Sequence, residues 1–412
     1  MSTSGHRVAI VGGALSANKG AAAMVETVIA RMTDKWSDCR FSLLTTYPEA
    51  DSPKVPHGAP VDVVGLQPLR LALVEFPTAL LACLARTLRL PLGWVRTRGC
   101  RAMLNSNVVV DVAGISFADG RGVPIVFYNA LMTGVPLLLG VPTVKAAQAL
   151  GPFASPVNAV LSRIVLPHLS TICARGARTR EHLDSLGLQN VVDVADLAFS
   201  LEESADLPAD VARNLSQLPE GFIVVMPSAV VRGIVESTGE NYVELMAHLV
   251  ERIRSTTGKG VVIAPHSYRV GHGEGRMNDG PVCREVGSRL SHDEQVVVID
   301  ADLSAGELRK LIGMGDVLVT SRFHAMISGL CTETPTVVVG WSHKYREVLD
   351  DFGLVDFGMD SNVLKTPDVV VNKVLSSLDK KLEIANQIRG SLPSVKKRSA
   401  INFDVIAKAA KS

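Results

Sequence analysis

The residues best suited to chemistry are gathered in one stretch, Asp316 to Leu354. Asp316 to Thr320 is an apolar, β-favouring run, and at Ser321 the pattern changes to the helical spacing of Phe323, Met326, Ile327 and Leu330. Ser321 therefore marks a strand handing over to a helix, with Arg322 and His324 expected in the first helical turn. Free backbone N–H groups and the helix dipole favour an anion there. A guanidinium grips a carboxylate or phosphate with its two-pronged fork, and an imidazole can hold and release a proton near neutral pH. Pro335 then opens a second buried run, Thr336 to Gly340, and the loop after it carries Ser342, His343, Lys344 and Arg346. Two successive strand ends thus present basic groups at the carboxyl edge of one parallel sheet, where open α/β folds bind ligands. Taken singly, Arg322 or His324 is an ordinary surface or capping residue. The joint pattern is what marks a site for a small anion.

Other strand ends carry polar groups of the same kind. Val8 to Val11 is a short buried strand followed by Gly12-Gly13 and then Asn18-Lys19-Gly20, which open a helix from Ala21 to Met32. The glycines allow a ligand close to the backbone, or serve only the tight turn. The G-x-G-x-x-G spacing of dinucleotide sites is missing, so no NAD is expected. Asn107 to Val112 is an apolar strand ending at Asp111, and Asp119 follows after a glycine-containing turn; two carboxylates there could accept sugar hydroxyls, or could cap the loop. Pro142 to Ala147 is a strand delivering Gln148, and Thr171 to Ala174 is a strand delivering Arg175. His266 leaves the strand Gly260 to Ala264 and begins a glycine-rich loop that ends at Asn278-Asp279. His266, His272 and Asp279 have no compact ligand spacing, so neither a metal nor a cofactor is expected.

These motifs together resemble the polysaccharide pyruvyl transferase family. The Arg322-Phe-His-Ala helix start, the turn before Pro335 and the Lys344 loop match its pattern, with Glu333-Thr334 standing where small residues are usual. Asn18-Lys-Gly-Ala, Gln148-Ala-Leu-Gly-Pro-Phe and Asp196-Leu-Ala-Phe fit it too. Arg175 is followed by Thr179 in place of the usual Ser, and Gly176 stands where an acid is common. The resemblance implies a transferase that moves the pyruvyl group of phosphoenolpyruvate onto two hydroxyls of a sugar as a ketal, releasing phosphate. In that reading Arg322, Arg175, Lys344 and Ser321 bind the donor and His324 is the acid. Asn18, Gly20, Asp111, Asp119, Gln148, His266, Asn278 and Asp279 are candidates for the acceptor side or the cleft. The expected partners are phosphoenolpyruvate and a saccharide acceptor, lipid-linked or not. Two rival readings stay open: a nucleotide-sugar glycosyltransferase, and a non-catalytic sugar-binding partner in polysaccharide assembly.

Length and composition set the frame. A chain of 412 residues with 47% hydrophobic content can fill two to three domains. Lys and Arg number 42 against 41 Asp and Glu, so no overall field argues for nucleic acid. Six scattered cysteines without a C-x-x-C pair read as buried thiols in a reducing compartment, and a short polar N-terminus lacks a signal-peptide pattern, so a cytoplasmic protein is expected. Repeated βα units on both sides of an acidic, Pro-containing stretch predict two doubly wound Rossmann-like domains facing across a cleft, the GT-B arrangement. The boundaries read as 1–201, a linker at 202–220, a second domain at 221–365, and a helical tail at 366–412 that packs back on the first domain. Leu66 to Arg101 combines apolar residues with six arginines and one acid, Glu75. It suits a pair of core helices, or peripheral contact with an anionic membrane. No uncharged apolar run in it reaches the roughly 18 residues of a membrane span.

Overall fold

The computed structural model describes residues 5–16, 18–204, 206–219, 221–269, 273, 275–340 and 343–411. The chain divides into two compact units. One holds Met1–Ser16, Met24–Ser200 and Lys397–Ser412; the other holds Ala17–Ala23 and Leu201–Lys396. The helical tail is thus shared. Pro367–Asp379 and the start of Lys381–Ala409 belong with the second unit, and the last residues belong with the first.

Among the described residues the first unit forms an eight-stranded parallel sheet. Its strands are β1 (Arg7–Val11), β2 (Arg40–Thr45), β3 (Val61–Gly65), β4 (Val108–Asp111), β5 (Ile115–Ser116), β6 (Thr143–Leu150), β7 (Thr171–Arg175) and β8 (Val191–Val194). The order is β3-β2-β1-β4-β6-β7-β8, with β5 added beside β6. The chain reverses direction across the sheet between β1 and β4. Val8 pairs with Val108 and Val11 with Asp111, so Gly12 and Asp111 come together at the carboxyl ends flanking that reversal.

The second unit repeats the plan with β9 (Phe222–Met226), β10 (Gly260–Ile263), β11 (Val296–Val298), β12 (Val317–Thr320), β13 (Thr336–Val339) and β14 (Gly358–Met359), in the order β11-β10-β9-β12-β13-β14. This is the doubly wound order, with its reversal between β9 and β12. Both faces of the sheet are covered, which explains why the strands read as unbroken Val/Ile runs. Along β9, Ile223 and Val225 enter one core cluster while Phe222, Val224 and Met226 enter the other. The 202–220 stretch contains the helix Ala209–Leu215, and its Val211, Leu215 and Leu218 are buried in that second cluster.

Several local expectations change. The Gln148 position lies inside β6 rather than in a loop after it, and Lys344 lies in the helix His343–Asp351 rather than in a loop. Ser342 and His272 fall outside the described residues. Glu333 takes a left-handed backbone, φ 59°, the conformation that favours glycine, and its carboxylate is held by Arg389, 3.0 Å from Nε. The turn survives the substitution at the cost of a strained residue. Of the six cysteines, all free, Cys83 and Cys331 are only half-buried. Burial pushes the Cys39, Cys100 and Cys173 thiols up to about 12, which makes them inert.

The 66–101 segment departs most from a core helix pair. Pro68–Arg70, a π-helical turn and Phe76–Thr87 run on as one helix, long and apolar enough by length and composition alone to cross a membrane. Ala79, Ala82 and Leu71 are buried in the core, while Leu69, Leu73, Leu80, Leu81 and Leu84 point outward.

Candidate functional site

In the second unit, the strand ends flanking the chain reversal assemble a cationic cluster. β12 ends at Thr320, and Arg322 is the N-cap of the helix Phe323–Cys331, in extended conformation rather than within the first turn. Its guanidinium is gripped by Asp279: Nε donates to Oδ2 at 2.8 Å and Nη2 to Oδ1. Nη2 also donates to the carbonyl of Arg276 at 3.3 Å. Nη1 donates no hydrogen bond to the described residues. Asp279 also accepts the backbone N–H groups of Ala229 (2.8 Å) and Ser267 (2.9 Å), which welds the loop after β10 to the helix after β9. Asp279 is fully buried, and its charge raises the Arg322 pKa further despite burial.

His324 follows on the same helix start, edge-on to Phe323 with ring centroids 5.2 Å apart. Gly20 packs against it so closely that a Cβ there would stand 2.0 Å from His324 Nδ1. Gly20 is brought there by its own cap: Asn18 Oδ1 accepts the Gly20 N–H at 2.9 Å, and Asn18 forms an antiparallel bridge with Ser267. Lys19 is buried and paired with Asp302, which follows β11. His266, at the end of β10, is buried beside these groups. Burial first, then the nearby His324, Arg322 and Lys19, push its imidazole well below the ordinary histidine range, so it is neutral at pH 7. Lys344 lies 4.9 Å from the centroid of the Phe323 ring and 5.4 Å from that of Tyr345. Tyr345, whose hydroxyl burial pushes up to about 12, donates to the Ser321 carbonyl at 3.1 Å and fixes the strand end. Asn278 accepts the Arg269 N–H and donates to the Gly273 carbonyl, 3.0 Å, so it organises the loop from within.

The first unit has its own polar cluster at the equivalent sheet edge. Gly12 has φ 76°, and a Cβ there would meet Asp111 Oδ1 at 2.5 Å; glycine is what lets β1 end against this carboxylate. Asp111 pairs with the fully buried Lys145, whose ammonium also reaches Ser116 Oγ at 3.2 Å and Gln148 Oε1 at 3.3 Å. Gln148 Nε2 returns to the Asp111 carbonyl at 2.7 Å. Residues 145 and 148 of a regular strand would face opposite ways. A register shift between them, with Ala147 at φ 49°, turns both into one network. Arg175 pairs with Asp196 and donates to the Gly114 carbonyl at 2.8 Å.

Asp119 has separate partners from Asp111. It accepts the N–H groups of Ala154 (2.6 Å) and Ser155 (3.0 Å), the Ser155 hydroxyl (2.7 Å) and Asn158 Nδ2 (3.0 Å). Burial opposes its charge, yet these bonds hold its carboxyl below the usual range, and they anchor the start of the helix Pro156–Val165.

Sequence reasoning thus named most of the second cluster and missed the counter-charges: Asp302 for Lys19, Lys145 for Asp111 and Asp196 for Arg175. Lys145 had a signal, since a lysine inside the apolar run Thr143-Val-Lys-Ala-Ala must be buried and therefore paired. Among the described residues no group of three or more His, Cys, Asp or Glu is placed to hold a metal ion.

Comparison with known proteins adds to this geometry. The model of the family described as Polysaccharide pyruvyl transferase matches residues 18–343. The amylovoran biosynthesis protein AmsJ of Erwinia amylovora is 21% identical over 286 residues, which cover 68% of each chain. Among solved structures, the putative UDP-N-acetylglucosamine 2-epimerase of Listeria monocytogenes is similar with a TM-score of 0.59 at 11% identity, covering 93% of this chain and 90% of that one. UGT71G1 of Medicago truncatula, solved with UDP-glucose, is similar with a TM-score of 0.56 at 9% identity over the whole of both chains. At such identities the likeness is one of fold, two Rossmann-like α/β domains of the GT-B kind.

Proposed function

Because the chain belongs to the polysaccharide pyruvyl transferase family, we propose that it transfers the pyruvyl group of phosphoenolpyruvate to two hydroxyls of a saccharide and releases phosphate. The observation that carries the reading is the gathering of Lys19, His266, Arg322 and His324, from three separate chain segments, at the carboxyl edge of the second sheet. A donor with a phosphate and a carboxylate needs cationic partners on more than one side.

The chemistry assigns a role to each group. His324 gives a proton to the methylene carbon of the donor, which becomes a methyl group and leaves an oxocarbenium-like centre at the adjoining carbon. One sugar hydroxyl adds there, and its proton restores His324. The C–O bond to phosphate then breaks, phosphate taking the electron pair, and the second hydroxyl closes the ketal as its proton passes to phosphate. Arg322 and Lys344 balance the charge of the donor and the departing phosphate. His266, held neutral, keeps a ring nitrogen lone pair for a hydroxyl.

The fold also supports a second reading, transfer of a sugar from a nucleotide donor, because UGT71G1, a fold relative, was solved with UDP-glucose. One assay separates them. The purified chain is incubated with a saccharide acceptor panel and either phosphoenolpyruvate or UDP-glucose, and phosphate, nucleotide and the acceptor's mass are followed. Phosphate released together with a pyruvyl mass gain is expected. Nucleotide release with a hexose gain would replace the pyruvyl reading by the glycosyl one, and acceptor binding without turnover of either donor would leave a sugar-binding protein.

A further inference from the structure

A surface of the first unit, carried by the segment between β3 and β4, is built against the usual logic of a helix. The helix running from Pro68 to Thr87 buries Ala79 and Ala82 completely and turns outward Leu69 (75% exposed), Leu73 (72%) and Leu84 (58%), with Leu88 (60%) continuing the stripe just past its end. Of its leucines Leu71 alone is buried, whereas a helix stabilised by core packing alone would turn most of its large apolar side chains inward. The stripe follows one face, at spacings of four and seven residues once Leu80 is included. Trp94, 44% exposed, stands beyond its end.

The same unit also carries a predominantly cationic surface. A hollow of about 650 Å³ in the same unit is lined by Arg7, Arg40, Arg96, Arg98 and Arg101, with Asp62 its only acid. Among the described residues none of these five guanidinium groups has a carboxylate within ion-pair distance, whereas Arg70 pairs with Glu75. Glu75 also links the two features. Fully buried, it accepts the N–H groups of Gly99 (3.2 Å) and Cys100 (2.8 Å), so the helix carrying Arg98 and Arg101 is bonded directly to the helix carrying the leucines. Although burial opposes it, Thr97, Cys100 and Arg70 hold the Glu75 carboxyl below its usual range, and the one acid of the segment is spent inside the protein. What remains outside is apolar and cationic.

We propose that this face docks on the surface of an anionic lipid bilayer. The leucine stripe lies in the plane of the interface, Trp94 sits at headgroup depth, and the arginine hollow takes lipid phosphates. Charge complementarity selects that occupant: an apolar stripe alone would suit any hydrophobic partner, but a stripe joined to five unpaired arginines fits a sheet of phosphates. Lying flat is favoured over crossing because Glu75, midway along the helix, is bonded into the fold.

The test uses the full chain and sedimentation with vesicles of phosphatidylcholine, alone or with about one third phosphatidylglycerol. The wild-type chain is expected to pellet with the anionic vesicles at least about tenfold more than with the neutral ones at low salt, and less so as salt rises. Leu73→Ser with Leu84→Ser should cut binding to anionic vesicles by about tenfold. Arg96→Gln, Arg98→Gln and Arg101→Gln together should remove the preference for anionic lipid. All five side chains are exposed, so unchanged thermal melts are expected to show intact folding. A wild-type chain that stays in the supernatant, binds both vesicle types equally, or binds unchanged after the leucine substitutions overturns the proposal. So does a dimer in light scattering that the leucine substitutions dissociate, since the face would then belong to a second copy. Phosphate release with soluble acceptors is measured on the same variants, and its outcome is independent of this one.

Discussion

At the scale of single residues, the second cluster separates a proton carrier from an anion holder. His324→Ala is expected to lower kcat by roughly 10²–10⁴-fold with donor binding retained, because it removes general acid catalysis alone; phosphate release and donor titration measure the two effects separately. Arg322→Ala is expected to do more than weaken the donor. It strands the buried Asp279 carboxylate, which still holds the Ala229 and Ser267 N–H groups, and losing one member of a buried pair costs about 3–5 kcal/mol. The variant should therefore show both a raised KM for phosphoenolpyruvate and a lowered melting temperature. His266 carries a pH signature. Its folded pKa lies well below the ordinary 6.5, so between that value and 6.5 the unfolded chain binds a proton that the native chain does not. Above pH 6.5 both states are neutral and nothing is lost; as pH falls below 6.5 stability declines. His266→Gln should flatten this part of the melting temperature against pH profile, and an unchanged slope would count against a buried neutral imidazole.

At the scale of elements, turns and caps do the positioning. The helix Lys19–Lys35 begins with Asn18 capping Gly20, and Gly20 has no side chain because the His324 ring occupies that space. Gly20→Ala puts a methyl group within 2.0 Å of His324 Nδ1 unless something shifts. It is expected to reduce kcat by about tenfold or more while the circular dichroism spectrum is retained, since a small misplacement of an acid is enough to cost rate. Asp119 acts in the opposite way, as a structural anchor. Asp119→Ala removes four hydrogen bonds at the start of the helix Pro156–Val165 and should cost about 1–3 kcal/mol in denaturant unfolding. Donor affinity should be unaffected, and a large loss of donor affinity would return Asp119 to the site.

At the scale of the whole molecule, the first unit is closed by the far end of the chain. In Lys397–Ser412, Phe403 and Ile406 are buried, Ser399 donates to the Asp196 carbonyl at 2.8 Å, and Asn402 donates to the Ala195 carbonyl at 3.1 Å. Asp196 is the residue whose carboxylate holds Arg175, so the tail braces that pair from behind. Ending the chain before Lys397 is expected to lower the melting temperature of the first unit and to expose apolar surface, detectable as a separate early transition in calorimetry. A single transition at the wild-type temperature would show the tail to be dispensable.

What the sequence determined by itself was the set of elements and the kind of site. Buried parallel strands announce themselves as Val/Ile runs such as Val317 to Thr320 and Thr336 to Val339, because both faces of the sheet are covered and the signal is local. The Ser321-Arg322-Phe-His324 hand-over was legible for the same reason, and the family match agrees with the resemblance those motifs carried. For the helix of residues 68–87 the composition left two readings open, because it cannot tell which face of an apolar helix turns inward. Only the tertiary structure decided the partners. Arg322 finds Asp279 across 43 residues and Lys19 finds Asp302 across 283, and no local periodicity encodes a contact over such distances. Burial then sets the chemistry: the same imidazole that would titrate near 6.5 in a loose chain is held neutral at His266 because the fold takes it out of water and surrounds it with positive charge.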